Sequence, residues 1–421
     1  MNRSRLTAGV LLSVLLGTAA LSATVSSASA AVPVRGTFTP LDPARVLDTR
    51  DGTGVAGQHP GPLGEGQVTK LHMSGVAGVP ETGAGAVVLN ITATAAPEAG
   101  YIVAFPCGLP RPNASSLNFV KGVDTPNLVT VKLGTNGDVC IFAAKETQLI
   151  GDVSGFYADD FASVPGYRYH EVEPTRLLDT RDGTGLVNGR APGALAANEV
   201  LALDVTGVGG VPADGARAIT MNFTTADATG AGYLTVFPCD RPRPGVSNLN
   251  FDPAVSAVAN LVTVRIPESG QICIYTSAPV QVIADVQGYF APGPGSVFTS
   301  VSPLRVLDTR DGTGVAGSKV GPMGKAEQLR LHIAGTGGVP TDAHAVLLNV
   351  TVTAANGTGF VSVYPCGQPF PKISNLNFVR GVDRANLVKA KIGADGDVCF
   401  FTAVGTQLIA DLEGYFTPNA A

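Results

Sequence analysis

The hexapeptide Leu-Asp-Thr-Arg-Asp-Gly occurs three times, at Leu47, Leu178 and Leu307. Each copy supplies two carboxylates: Asp48 and Asp51, Asp179 and Asp182, Asp308 and Asp311. A further one recurs downstream, at Asp152, Asp285 and Asp411. Two carboxyl groups flanking a sugar bond are the machinery of a glycosidase, so Asp48 with Asp152 is one acidic pair to weigh. The six motif aspartates could instead hold Ca²⁺ through their oxygens, although the loop lacks the ligand ladder of an EF-hand. The third reading is structural: the motif Arg pairs with the Asp of the closing strand, and Asp-Gly sets a turn. The structural reading is preferred, calcium is the lesser alternative, and a hydrolase with an unrecognised acidic pair comes last.

Other catalytic signatures are missing from the sequence. It has no Gly-x-Ser-x-Gly elbow, no His-Glu-x-x-His, no P-loop and no dinucleotide fingerprint. His59, His170 and His344 have no counterparts in the other copies; His72 and His332 correspond, but the second copy has Asp204 there. A required general base would not alternate with a carboxylate in this way. The expectation is a non-catalytic protein without a cofactor.

Asparagine within strands is the least expected feature, since strands usually exclude it. Asn90-x-Thr92, Asn222-x-Thr224 and Asn349-x-Thr351 set amides and hydroxyls on one face. Such groups can hydrogen-bond sugar hydroxyls without charge, which makes these six residues the candidate binding face. They could equally form cross-strand hydrogen bonds. The chain has no Trp, and most of its Phe and Tyr recur at matched places, exchanging freely between copies. Phe38, Tyr169 and Phe298 match, as do Tyr101, Tyr233 and Phe360; such exchange is the behaviour of core filler.

The elements that position these residues are strands. Val87, Leu89, Ile91 and Ala93 alternate with Val88, Asn90, Thr92 and Thr94, the period of a half-buried strand. Turn signals such as Asn136-Gly137 separate similar stretches. With charged residues at 14% and 52 Gly and 30 Pro, short strands and tight turns are expected throughout. The hexapeptides are 131 and 129 residues apart, and a unit of that size can bury its own core. The expected fold is all-β: three tandem antiparallel β-sandwich or jelly-roll-like domains over residues 32–158, 166–290 and 297–417. Six cysteines fall two per copy, 33 or 34 residues apart, so the pairs Cys107–Cys140, Cys239–Cys273 and Cys366–Cys399 are expected.

Arg3 and Arg5 precede an apolar stretch, Leu6 to Val25, and Ala28-Ser29-Ala30 offers a small-x-small cleavage site. Residues 1–31 therefore read as a signal peptide, and the compartment as secreted or extracellular, with cell-surface association open. No later apolar run reaches the length of a membrane-spanning helix. Without Arg3 and Arg5, 26 of the 28 cations face 33 carboxylates, a scattered balance of −7. That excludes nucleic acid as the expected partner, because phosphate backbones want clustered cations.

The Leu-Asp-Thr-Arg-Asp-Gly motif, the Leu-Asn-Phe strand and the closing Asp-Val-x-Gly-Tyr/Phe-Phe/Tyr resemble the repeat of secreted bacterial, mainly actinobacterial, tandem-repeat proteins. The resemblance covers nearly all of residues 36–417; only Asp411-Leu412-Glu413-Gly414 departs slightly. It implies an accessory or surface module with no functional residues to transfer. The expected function is glycan binding or adhesion, on cell-wall or environmental glycan, through tandem weak sites. A structural scaffold that meets another surface protein is the alternative.

Overall fold

Val87, Leu89, Ile91 and Ala93 lie on a strand, Ala84–Thr94, inside a four-stranded antiparallel sheet. Its spatial order is Phe38–Asp48, Gln148–Ala158, Ala84–Thr94, Thr125–Lys132. A second sheet runs Val68–His72, Asp138–Ala143, Gly100–Pro106, Leu117–Phe119. The chain steps back and forth between the two, which is a jelly roll. The computed structural model describes residues 34–418 apart from 56, 58, 59, 160–165, 188 and 319. The signal peptide expected at 1–31 lies outside the described residues.

The second and third copies repeat this order. Their inner sheets are Arg168–Asp179, Gln281–Ala291, Ala218–Ala226, Ala257–Arg265 and Ser296–Asp308, Gln407–Pro418, Ala345–Thr353, Arg384–Lys391. Between the sheets of each unit sits an apolar core; in the first it includes Leu47, Leu89, Ile102, Leu117 and Ile141. Burying one such side chain stabilises by roughly 1.5–3 kcal/mol. Cys107–Cys140, Cys239–Cys273 and Cys366–Cys399 are bonded, each within its unit, which fits an oxidising compartment.

The half-buried strand is where expectation and structure part. Ala84–Thr94 buries every residue after its first, on both faces. The reason is a fourth core, drawn from all three copies: Phe38, Ala86, Val88 and Tyr157 meet Tyr169, Leu261 and Phe290, and Phe298, Leu347 and Phe416. Six rings close a cycle in which contacts within a unit alternate with contacts between units. Phe38–Tyr157, Tyr169–Phe290 and Phe298–Phe416 lie 5.1, 5.3 and 5.0 Å apart within their units. Phe38–Phe290, Tyr157–Phe298 and Tyr169–Phe416 join the units at 4.4, 4.2 and 4.4 Å. The recurring glycine of Asp-x-x-Gly makes room: a Cβ on Gly155, Gly288 or Gly414 would fall 2.3–2.4 Å from Phe38, Tyr169 or Phe298.

Backbone pairing follows the same cycle. Phe38 bridges to Tyr167, Tyr169 pairs with Ser296, and Val34–Gly36 pairs with Phe298–Ser300. Each unit thus begins against the next, and the third receives the start of the first. The three units form a closed body, not a string of independent domains.

Candidate functional site

The Leu-Asp-Thr-Arg-Asp-Gly motif ends the first strand of each unit. Gly52 N–H donates to the Asp48 carbonyl at 2.9 Å, and Asp51 Oδ1 accepts from Thr53 N–H at 2.9 Å, making a tight Asx turn. Gly54 has φ 69°, and a Cβ there would fall 1.9 Å from the Val46 carbonyl oxygen. Only glycine fits. Asp182 and Asp311 make the same bond to Thr184 and Thr313.

Asp48 is buried beneath two guanidinium groups. Arg50 donates from Nε at 2.8 Å and from Nη2 at 2.7 Å, and Arg45 Nη1 reaches Oδ2 at 3.1 Å. Arg45 also grips Asp152 through Nε at 2.8 Å. Arg176 and Arg181 repeat this around Asp179 and Asp285, and Arg305 and Arg310 around Asp308 and Asp411. The motif Arg, expected to reach the closing strand, stays on its own Asp, and the Arg three residues before that Asp makes the closing-strand pair. The hydrogen bond from Arg50 holds the Asp48 carboxyl below the ordinary range. Burial pushes Asp152, Asp285 and Asp411 up, against the pull of their arginines. Asp48 and Asp152 are both buried against Arg45, and a calcium ion at Asp48, Asp179 or Asp308 would face two guanidiniums. Among the described residues, no cluster of three or more His, Cys, Asp or Glu is arranged to hold a metal ion.

The asparagine face is turned inward. Asn90, Asn222 and Asn349 are each at most 2% exposed. Asn260 Nδ2 donates to Asn90 Oδ1, Asn386 Nδ2 to Asn222 Oδ1, and Asn127 Nδ2 to Asn349 Oδ1, each at 2.8 Å. Asn90, Asn222 and Asn349 in turn donate to the carbonyls of Ser247, Ser374 and Ser115. Every one of these bonds crosses from one unit to its neighbour. As a solvent-facing binding surface the asparagines are corrected: the polar face that alternation placed in water is occupied by the next unit. Thr92, Thr224 and Thr351 are buried too, but the hydroxyls of Thr92 and Thr351 lack a hydrogen-bond partner.

Thr351 lines an open cleft of about 360 Å³ between the first and third units. The first unit contributes Tyr101, Arg111 and Asn118; the third contributes Arg305, Arg310 and Asp383. Tyr101 is 36% exposed, beside Phe142, and Arg111 sets its guanidinium 3.8 Å over the Phe142 ring. The wall therefore offers an aromatic ring, a cation, an amide, a hydroxyl and a carboxylate. Tyr101, taken as core filler because it aligns with Phe360, is a rim residue. Arg111 and Asp383 gave no signal at all, since the cleft exists only when two distant copies meet.

No protein-family model matches the chain, and no curated protein is significantly similar to it. Solved structures overlap it loosely. One is described by the triple jelly roll fold and turret assembly of an archaeal virus: 9% identity and TM-score 0.18, over 90% of this chain and 91% of that one. A second belongs to Sulfolobus turreted icosahedral virus: 10% identity and TM-score 0.17, over 85% of this chain and 84% of that one. A third is the tandem CBM22-1–CBM22-2 domain of Paenibacillus barcinonensis Xyn10C: 12% identity and TM-score 0.16, over 60% of this chain and 98% of that one. Overlaps of that order carry no argument.

Proposed function

We propose that this is a secreted, non-catalytic protein that holds a glycan in the clefts between its units. The observation that carries the reading is the cleft of Tyr101, Arg111, Asn118, Thr351 and Asp383, open to solvent and floored by a buried hydroxyl without a partner. Sugars present hydroxyls to amides and carboxylates and a C–H face to an aromatic ring, and this wall offers all three. The apolar leader with its small-residue exit, the three disulfides and the resemblance to secreted actinobacterial repeats support export. Arginine on every recurring inner aspartate supports a role without catalysis.

The test is retention of the full chain on purified cell walls and on a glycan array, beside Tyr101→Ala and Asn118→Ala. Retention lost in the variants, with unchanged melting, is the expected result. No retention of any glycan by the parent protein overturns the reading. A scaffold role is the second reading, favoured by the asparagine bonds and aromatic cycle that lock the units together.

A further inference from the structure

The three units are copies, so each rim can be compared with its counterparts. In the first, Arg111 lies on Phe142 at 3.8 Å; in the second, Arg243 lies on Tyr275 at 4.0 Å. In the third the corresponding contact is Phe370 on Phe401, 4.6 Å between ring centres. The tyrosine position follows suit: exposed Tyr101 and half-buried Tyr233, but Phe360. The floors differ the same way. Thr351, facing the first unit's rim, and Thr92, facing the second's, have buried hydroxyls without partners. Thr224, facing the third's, accepts a bond from Asn222 Nδ2 at 3.5 Å. The opposing arginines form matching ion pairs, Arg305 and Arg310, Arg45 and Arg50, and Arg176 and Arg181, and Arg45 also donates from Nη2 to the Gly245 carbonyl at 3.4 Å.

Arg111 and Arg243 are both exposed and are set on rings instead of carboxylates, and Arg243 also donates from Nη1 to the Tyr233 hydroxyl at 3.4 Å. Stacking a guanidinium leaves in-plane N–H donors for another partner, in a fork that matches a carboxylate. Resting on the glycan reading above, we propose that the cleft rimmed by Arg111 and the matching boundary beside Arg243 are two sites for a uronic-acid saccharide, and that the boundary beside Phe370 is not. In each, the sugar carboxylate meets the rim arginine, the ring face meets Tyr101 or Tyr233, and a hydroxyl meets Thr351 or Thr92.

Isothermal titration of the full chain with a short oligogalacturonate tests this, with a neutral cello-oligosaccharide as comparison. Two equivalents per chain are expected. Arg111→Gln and Arg243→Gln should each remove one, the double variant should lose about ten-fold or more in affinity, and Phe370→Ala should change nothing. Both arginines are exposed, so the variants should melt as the parent does. A stoichiometry of one or three overturns the proposal, as does affinity indifferent to both arginines. Equal binding of the neutral oligosaccharide overturns the acidic specificity while the glycan reading stands; no binding of either saccharide overturns the proposal and leaves the glycan reading to the array.

Discussion

Asn260 donates its side-chain amide to Asn90, 170 residues earlier in the chain, at 2.8 Å, and both side chains are buried. The Asn260 oxygen accepts the backbone N–H of Leu128 at 3.1 Å. One asparagine thus satisfies two groups of the neighbouring unit, in a place that water does not reach.

Asn260→Ala leaves the Asn90 oxygen, the Asn248 carbonyl and the Leu128 N–H without their partner. An unsatisfied buried group costs about 1–3 kcal/mol, so three of them should cost the variant about 3 kcal/mol or more. Urea unfolding followed by tyrosine fluorescence should show one transition at a lower midpoint. Two separated transitions would mean the units are not coupled as their contacts require.

Glu413 is buried between units and accepts the backbone N–H of Thr130 at 3.2 Å. Burial raises its pKa from the ordinary 4.5 to about 8. Below pH 4.5 the carboxyl is neutral folded or unfolded, and its contribution to stability is fully present. As pH rises from there to about 8, the unfolded chain releases the proton that the fold retains, and stability falls. Glu413→Gln should match the parent near pH 4.5 and exceed it above pH 8, by roughly 3–5 kcal/mol at one pKa unit per 1.36 kcal/mol. Urea midpoints at the two pH values measure it; a constant difference would refute the shift.

Lys389 titrates the other way. Its ammonium lies 4.6 Å from the centre of Phe290, 5.4 Å from Tyr169 and 5.8 Å from Phe416, and donates to Thr220 Oγ1 at 2.9 Å. Burial lowers its pKa well below 10.5, so its contribution to stability is present above that value and declines as pH falls towards the folded pKa. Lys389→Met should therefore gain on the parent as pH is lowered from 10.5. Thermal melting across that range checks the direction; a gain that grows with pH would contradict it.

Asp152 holds Arg45 in a two-point pair, at 2.8 and 3.4 Å. Asp152→Ala should cost roughly 1–3 kcal/mol, because Asp152 is buried while Arg45 is part-exposed and keeps Asp48 as a partner. With Asp48, Asp152 and their counterparts bonded to arginine, millimolar calcium or a chelator should leave the melting temperature of the parent unchanged. A rise with calcium would restore the metal reading of Asp48 and Asp51.

An excised second unit, residues 166–290, would bare Tyr169, Ala218, Leu261 and Phe290, which the other units cover. It should stay unfolded or self-associate, as sedimentation would show; a stable monomer would be the contrary result.

Much of the fold was legible because its signals are local. The alternation in Val87–Thr94, the Asp-Gly turns and the paired cysteines each report on a few neighbouring residues, and the strands and disulfides follow. What alternation cannot report is what covers a polar face. Asn90 and Thr92 have the same period whether water or Ser247 lies opposite. The sequence also undervalued departures from the repeat: Lys389 and Glu413 stand where the first copy has Thr130 and Ser154, and both are buried among residues of the other units. Arg45 recurs in every copy yet lies outside the hexapeptide, so its grip on Asp152 appears only once the two strands pair at that register.

A cycle in which the opening strand of the first copy pairs with the third leaves no end at which to add another. An open array of repeats can lengthen or shorten by one and remain an array. Here a fourth copy would find no seat within the cycle, and deleting one would strip the partners from the two that remain.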